Sequence, residues 1–64
     1  MLLESLYRVL YENQRVTLKD IREQKTLWCG LVRNIPVEYL NWTVAGVISC
    51  AINLKVSVIR IELI

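Results

Sequence analysis

The nine residues Val56–Ile64, VSVIRIELI, decide the fold of this 64-residue chain. Their alternation is that of a β-strand, in which successive side chains point to opposite faces. Ile59, Ile61 and Leu63 share one parity, while Val56 and Val58 share the other with Arg60 and Glu62. Apolar residues on both parities require either a bulge near Val58 and Ile59 that re-aims the side chains or cover on both faces. The preceding segment favours the second solution. From Thr43 to Leu54, the residues Val44, Gly46, Ile48, Cys50, Ile52 and Leu54 form an uncharged face. Ala45, Val47, Ser49 and Ala51 form a back of small, barely polar side chains. The expectation is therefore a strand over Thr43–Leu54, a turn at Asn53–Lys55, a strand over Val56–Ile64, and a subunit interface through Val47, Ala51, Val56, Val58, Ile59 and Ile61.

Working back toward the N-terminus, Asn34-Ile35-Pro36 interrupts the strand pattern. Proline suits the first turn of a helix, where its missing N–H is not needed. Val37-Glu38-Tyr39-Leu40 then reads as one helical turn, with Asn41 as a left-handed stop. Upstream, Thr26–Arg33 alternates: Leu27, Cys29 and Leu31 lie on one side, Trp28 and Val32 on the other. Arg15–Ile21 alternates around Val16 and Leu18. The polar run Arg22-Glu23-Gln24-Lys25 joins these two strands and contains no glycine, which predicts a longer loop rather than a tight primed turn. At the start, Leu3, Leu6, Tyr7 and Leu10 recur at i, i+3, i+4 and i+7, predicting an amphipathic helix over Leu2–Asn13. Leu2 and Val9 widen its stripe, and Glu4 and Arg8 stand in the favourable order for a helix ion pair. The order helix, strand, strand, short helical turn, strand, strand is a single α+β domain over residues 1–64. One helix packs on a four-stranded, mostly antiparallel sheet.

Composition limits what such a domain does. The chain is 55% hydrophobic with a net charge of +2. A domain this small buries only about 60% of its unfolded surface, so oligomerisation is the expected source of further burial. The longest apolar stretch, Val44–Ile52, is too short to cross a bilayer. No basic leader segment opens MLLESLYRVLYEN, so a cytoplasmic setting is expected, and Asn41-Trp42-Thr43 is a chance match to the glycosylation pattern. Cys29 and Cys50 sit in apolar runs without metal-ligand spacing and read as buried reduced thiols. No cofactor or metal is expected. Histidine is absent, the serines at 5, 49 and 57 have no nucleophile elbow, and the six carboxylates are scattered, so catalysis is not expected.

Two sets of residues are suited to binding. Trp28, Tyr39 and Trp42 surround the predicted short turn, with Arg33 close in sequence. Aromatic rings beside cations stack bases and hold phosphates, although tryptophans in a small protein also serve simply as core. Arg15, Lys19, Arg22 and Lys25 make the first hairpin basic, interrupted by Asp20 and Glu23; such a hairpin meets phosphates or an acidic protein, or is merely solvated. Arg60, with Glu62, guards a sheet edge or lines a central cavity in an oligomer.

The stretch LWCGLVRNIPVEYLNWTVAGV, Leu27–Val47, resembles short proteins of Firmicutes phages and related mobile elements. Those proteins open with a helix like LLESLY and a strand. Next come a polar turn and a strand ending in G-x-V, here Gly30–Val32, then an I-P-x-x-Y-L turn, here Ile35–Leu40, and two apolar strands close the chain. The polar turn departs from the pattern, being Arg22-Glu23-Gln24-Lys25 instead of a turn with Asp and Gly. The resemblance implies a bacterial cytoplasmic setting and a binding role, which in some small phage proteins of similar size is to disarm bacterial immunity, and it carries over no ligand residues. The leading expectation is an oligomer that sequesters an anionic cyclic nucleotide signal, with Trp28, Arg33, Tyr39, Trp42 and Arg60 as its candidate ligand residues. The alternatives are a protein–protein inhibitor of a defence nuclease or effector, and a small nucleic-acid-binding regulator.

Overall fold

The structure is a computed structural model describing residues 1–51 and 57–64, with side chains described up to Ser49 and again from Ser57. The expected turn at Asn53–Lys55, the residues Ile52, Leu54 and Val56, and the side chains of Cys50 and Ala51 lie outside the described residues. Helix α1 (Leu3–Tyr7) is followed by strands β1 (Arg15–Asp20) and β2 (Lys25–Leu31). Two single-turn 3-10 helices, Val32–Asn34 and Val37–Tyr39, lead to β3 (Val44–Ala51) and β4 (Ser57–Leu63). The strands form one sheet in the order β2-β1-β4-β3. The outer pairings β1–β2 and β3–β4 are antiparallel, whereas the central β1–β4 pairing is parallel. The sheet is therefore mixed: two hairpins lie side by side with their first and last strands in contact.

Register sorts the side chains into two faces, because directly paired residues point the same way. Across the sheet, Gly30, Val16, Ile59 and Ser49 form one row, Trp28, Leu18, Ile61 and Val47 the next, and Lys25, Asp20, Leu63 and Val44 the third. This face is covered. Leu3, Val16, Leu18, Val32, Ile35, Ile61 and Leu63 make the buried core, and Leu6, Tyr7, Leu10, Trp28, Tyr39, Leu40, Trp42 and Ile59 pack around it. The other face carries the rows Leu31–Arg15–Val58, Cys29–Thr17–Arg60–Ile48 and Thr26–Lys19–Glu62–Gly46.

Two expectations are corrected by this arrangement, the face shared by Val44, Gly46 and Ile48 and the left-handed stop at Asn41, and the less favoured alternative of a bulge in the last strand is not taken. β4 runs without a bulge at Val58–Ile59; it pairs continuously with β1 from Val58 to Leu63. The irregularity lies instead in β3, where the register shifts between Val44 and Gly46. Ala45 is the extra residue, so Val44 stays on the covered face while Gly46 and Ile48 turn to the open one, beside Glu62 and Arg60. The uncharged face that Val44, Gly46 and Ile48 were expected to share is thus split. Asn41 does not take the left-handed conformation; among the described non-glycine residues only Gln24 has a positive φ. The last turn closes instead through Leu40 N–H to Val37 O and Trp42 N–H to Tyr39 O.

The helix is much shorter than its apolar period, which extended to Asn13. After Tyr7 the chain tightens, with Val9 N–H donating to Leu6 O at 3.1 Å, and it then runs to β1 past Glu12 O and Gln14 O, which accept Arg33 N–H at 3.0 Å and Val32 N–H at 2.9 Å. The leading amides of the helix have no side-chain cap. They donate to neighbouring chain, Leu3 N–H to Trp42 O and Glu4 N–H to Leu40 O, which satisfies two of the donors a helix start leaves open. The Glu4–Arg8 ion pair forms at 2.9 Å. Val9 is 77% exposed and does not join the buried stripe.

Candidate binding surfaces

The structure separates the residues that sequence proximity grouped. Trp28 lies on the covered face, its ring folded over Gly30, where an added Cβ would meet ring carbons at 2.9 Å. Tyr39 and Trp42 meet edge to face with centroids 6.3 Å apart. The Tyr39 hydroxyl donates to Leu27 O at 3.3 Å. Leu27 is the residue left over where the β1–β2 register shifts between Leu18 and Lys19, so Tyr39 satisfies a carbonyl at that bulge. Arg33 is exposed on the first 3-10 turn. Arg60 is on the opposite side of the sheet from Trp28, in the row with Thr17 and Ile48. The expected aromatic–arginine set is therefore not one site.

The basic hairpin also divides. Arg15 and Lys19 belong to the open face, Lys25 starts β2 opposite Asp20, and Arg22 is in the loop. That loop, Ile21–Gln24, is organised by Asp20, whose Oδ1 accepts Arg22 N–H at 2.9 Å and Glu23 N–H at 3.3 Å. An open cleft of about 540 Å³ lies beside it, lined by Asp20, Arg22, Glu23, Glu38, Asn41, Trp42 and Ile64. Three carboxylates against one guanidinium make it acidic, so the ring of Trp42 sits where an anion meets like charge. Among the described residues no three side chains converge to hold a metal ion.

Of the expected interface residues, Ile61 is fully enclosed by its own chain and Ile59 packs on the core. Ile61 presents no surface, and Ile59 remains half-buried. Val47 is 50% exposed at the sheet edge, and Val58 is half-buried on the open face. Ala51's side chain and Val56 lie outside the described residues. Cys29, expected to be buried, is an exposed free thiol, because its parity in β2 puts it beside Thr17.

The open face is the largest feature that sequence reading missed. Leu31, Val58 and Thr17 are half-buried and Cys29 and Ile48 exposed, with Arg15, Lys19, Arg60 and Glu62 among them. Near its middle, Arg60 Nε is buried without a hydrogen-bond partner among the described residues. Glu62 does not reach it: the Glu62 Oε1 lies over Gly46, 2.9 Å from where a Cβ would stand. The parity of Arg60 and Glu62 against Ile59, Ile61 and Leu63 was the available signal. No helix among the described residues is long and apolar enough to cross a membrane. No family model matches the chain, and no curated protein or solved structure matches it.

Proposed function

We propose that the chain is a non-catalytic binding protein that seizes another protein with the uncovered face of its sheet. One observation carries this reading: the face sets half-buried Leu31 and Val58 and exposed Ile48 around the half-buried Arg60, with Arg15 and Lys19 at their side. An apolar patch rimmed by charge is the usual form of a protein contact. Among the described residues Arg15, Lys19 and Arg60 stand there against Glu62, so the face favours an acidic surface on its partner. The resemblance to small phage proteins supports placing that partner among the proteins of bacterial immunity.

Two other roles have less support. Sequestering a nucleotide signal calls for a cation and a ring on the same wall, yet Arg60 and Trp28 lie on opposite sides of the sheet, and the cleft at Trp42 is acidic. Stacking nucleic-acid bases calls for aromatic rings beside the cations, and the rows of the open face contain none.

The test is retention of a host protein from bacterial lysate by immobilised wild type and by Arg60→Glu. The expected result is one acidic host protein retained by the wild type and lost by the variant, with the unfolding midpoint of the variant not lowered. Calorimetric heat with a cyclic di- or trinucleotide would instead restore sequestration as the role.

A further inference from the structure

We infer that the free edge of β3 pairs with β3 of a second copy of this chain, antiparallel, so that two four-stranded sheets become one. The two edges of the sheet are not alike. β2 begins at Lys25, is bulged at Leu27 and has that residue's carbonyl occupied by Tyr39; charge and bulges of this kind protect an edge from pairing. β3 has its bulge at Ala45, next to its first residue, and from Gly46 onward it has no such protection. Its eight residues, VAGVISCA, contain no charge and no proline, and it pairs with β4 alone among the named strands. Val47 is 50% and Ile48 37% exposed, one on each side of the sheet, so apolar surface flanks the edge above and below.

The start of this edge already accepts an antiparallel segment. Leu2 bridges Thr43 in antiparallel sense, Val44 N–H donates to Met1 O at 2.7 Å, and Leu3 N–H donates to Trp42 O at 2.9 Å. Past Val44 that cover stops, and the remaining strand, Gly46–Ala51, has its midpoint near Ile48. A second copy is the occupant that fits best. Antiparallel pairing of identical strands sets an uncharged segment against itself, so no charge is left opposed by its like or stripped of water. It also brings Val47 and Ile48 of each copy toward their counterparts about a two-fold axis. The arrangement is independent of the partner proposed for the open face, since it uses the edge, and it would set two such faces side by side.

Sedimentation equilibrium of the full chain over a micromolar concentration series tests this, with Val47→Lys as the variant. Val47 belongs to the side away from Arg60, so the variant leaves the proposed protein-binding face unchanged. The wild type is expected to dimerise and the variant to dissociate about tenfold more readily or more, from like charges meeting across the axis. Amide hydrogen exchange on the wild type supplies the second measurement and does not depend on the variant folding: protection of Gly46–Ser49 should rise with concentration while that of β2 stays constant. A wild type that remains monomeric throughout overturns the inference and leaves the edge to a strand of another protein. A dimer that Val47→Lys does not weaken, without concentration-dependent protection in β3, overturns it in favour of a different interface.

Discussion

Gln24 is the one described non-glycine residue with positive φ, at 53°. It closes a loop whose other end is held by the Asp20 carboxylate. A side chain in this region is unfavourable by about 1–2 kcal/mol, so Gln24→Gly should raise the unfolding free energy by about 0.5–1 kcal/mol in urea titration. Gly30 is the opposite case. Any Cβ there collides with the Trp28 ring at 2.9 Å, and that ring is packed on the core. Gly30→Ala should therefore destabilise by about 1–3 kcal/mol and change the tryptophan near-ultraviolet signal. The loop was legible as a loop from its polar run, but its conformation was not, because nothing in Arg22-Glu23-Gln24-Lys25 demands a left-handed residue. The close approach of Trp28 to Gly30 was equally hidden, since it depends on which way an indole turns after folding.

At the scale of elements, periodicity located each strand to within a few residues and failed on the helix. Leu3, Leu6, Tyr7 and Leu10 do face the core, as their spacing requires, yet only Leu3–Tyr7 is α-helical. The segment that follows it is held by Val32 and Arg33, some twenty residues away, and no local pattern encodes those bonds. The same bonding logic predicts that the Leu3 and Glu4 amides, normally the fastest-exchanging in a helix, should be protected, because Trp42 and Leu40 carbonyls accept from them. Native-state hydrogen exchange checks this: exchange at the unprotected rate would mean that the contact opens freely. In β3 a single extra residue, Ala45, reverses the facing of the residues after it. Alternation in the sequence counts residues and does not show where a partner strand skips one.

For the whole molecule, the division between the two faces makes a contrast in stability. Ile61, enclosed on the covered face, should cost about 2–5 kcal/mol when replaced by alanine, a large share of what holds a small domain together. Val58 on the open face should cost far less when replaced by alanine. Equal losses for the two, measured by urea unfolding, would contradict the assignment of faces. Arg60→Leu removes an Nε–H that is buried without a hydrogen-bond partner among the described residues and should leave the isolated protein as stable or about 1 kcal/mol more so, while loss of the guanidinium charge abolishes retention of an acidic partner. Such opposition between stability and binding is the mark of a group kept for a contact outside its own chain.

The sequence by itself determined the number and order of the strands, the polar loop after β1, and which residues of β1 and β4 share a face; in β2 the bulge at Leu27 takes that residue off the face it was expected to share with Cys29 and Leu31. These come from alternation and breakers, which act over a few residues. Only the tertiary structure decided that β1 and β4 lie parallel at the centre, that the helix stops at Tyr7, that β3 shifts its facing at Ala45, and that Arg60 and the aromatic rings stand on opposite sides. Each of those depends on hydrogen bonds or packing between segments far apart in the chain, where the local pattern is the same whichever partner is chosen.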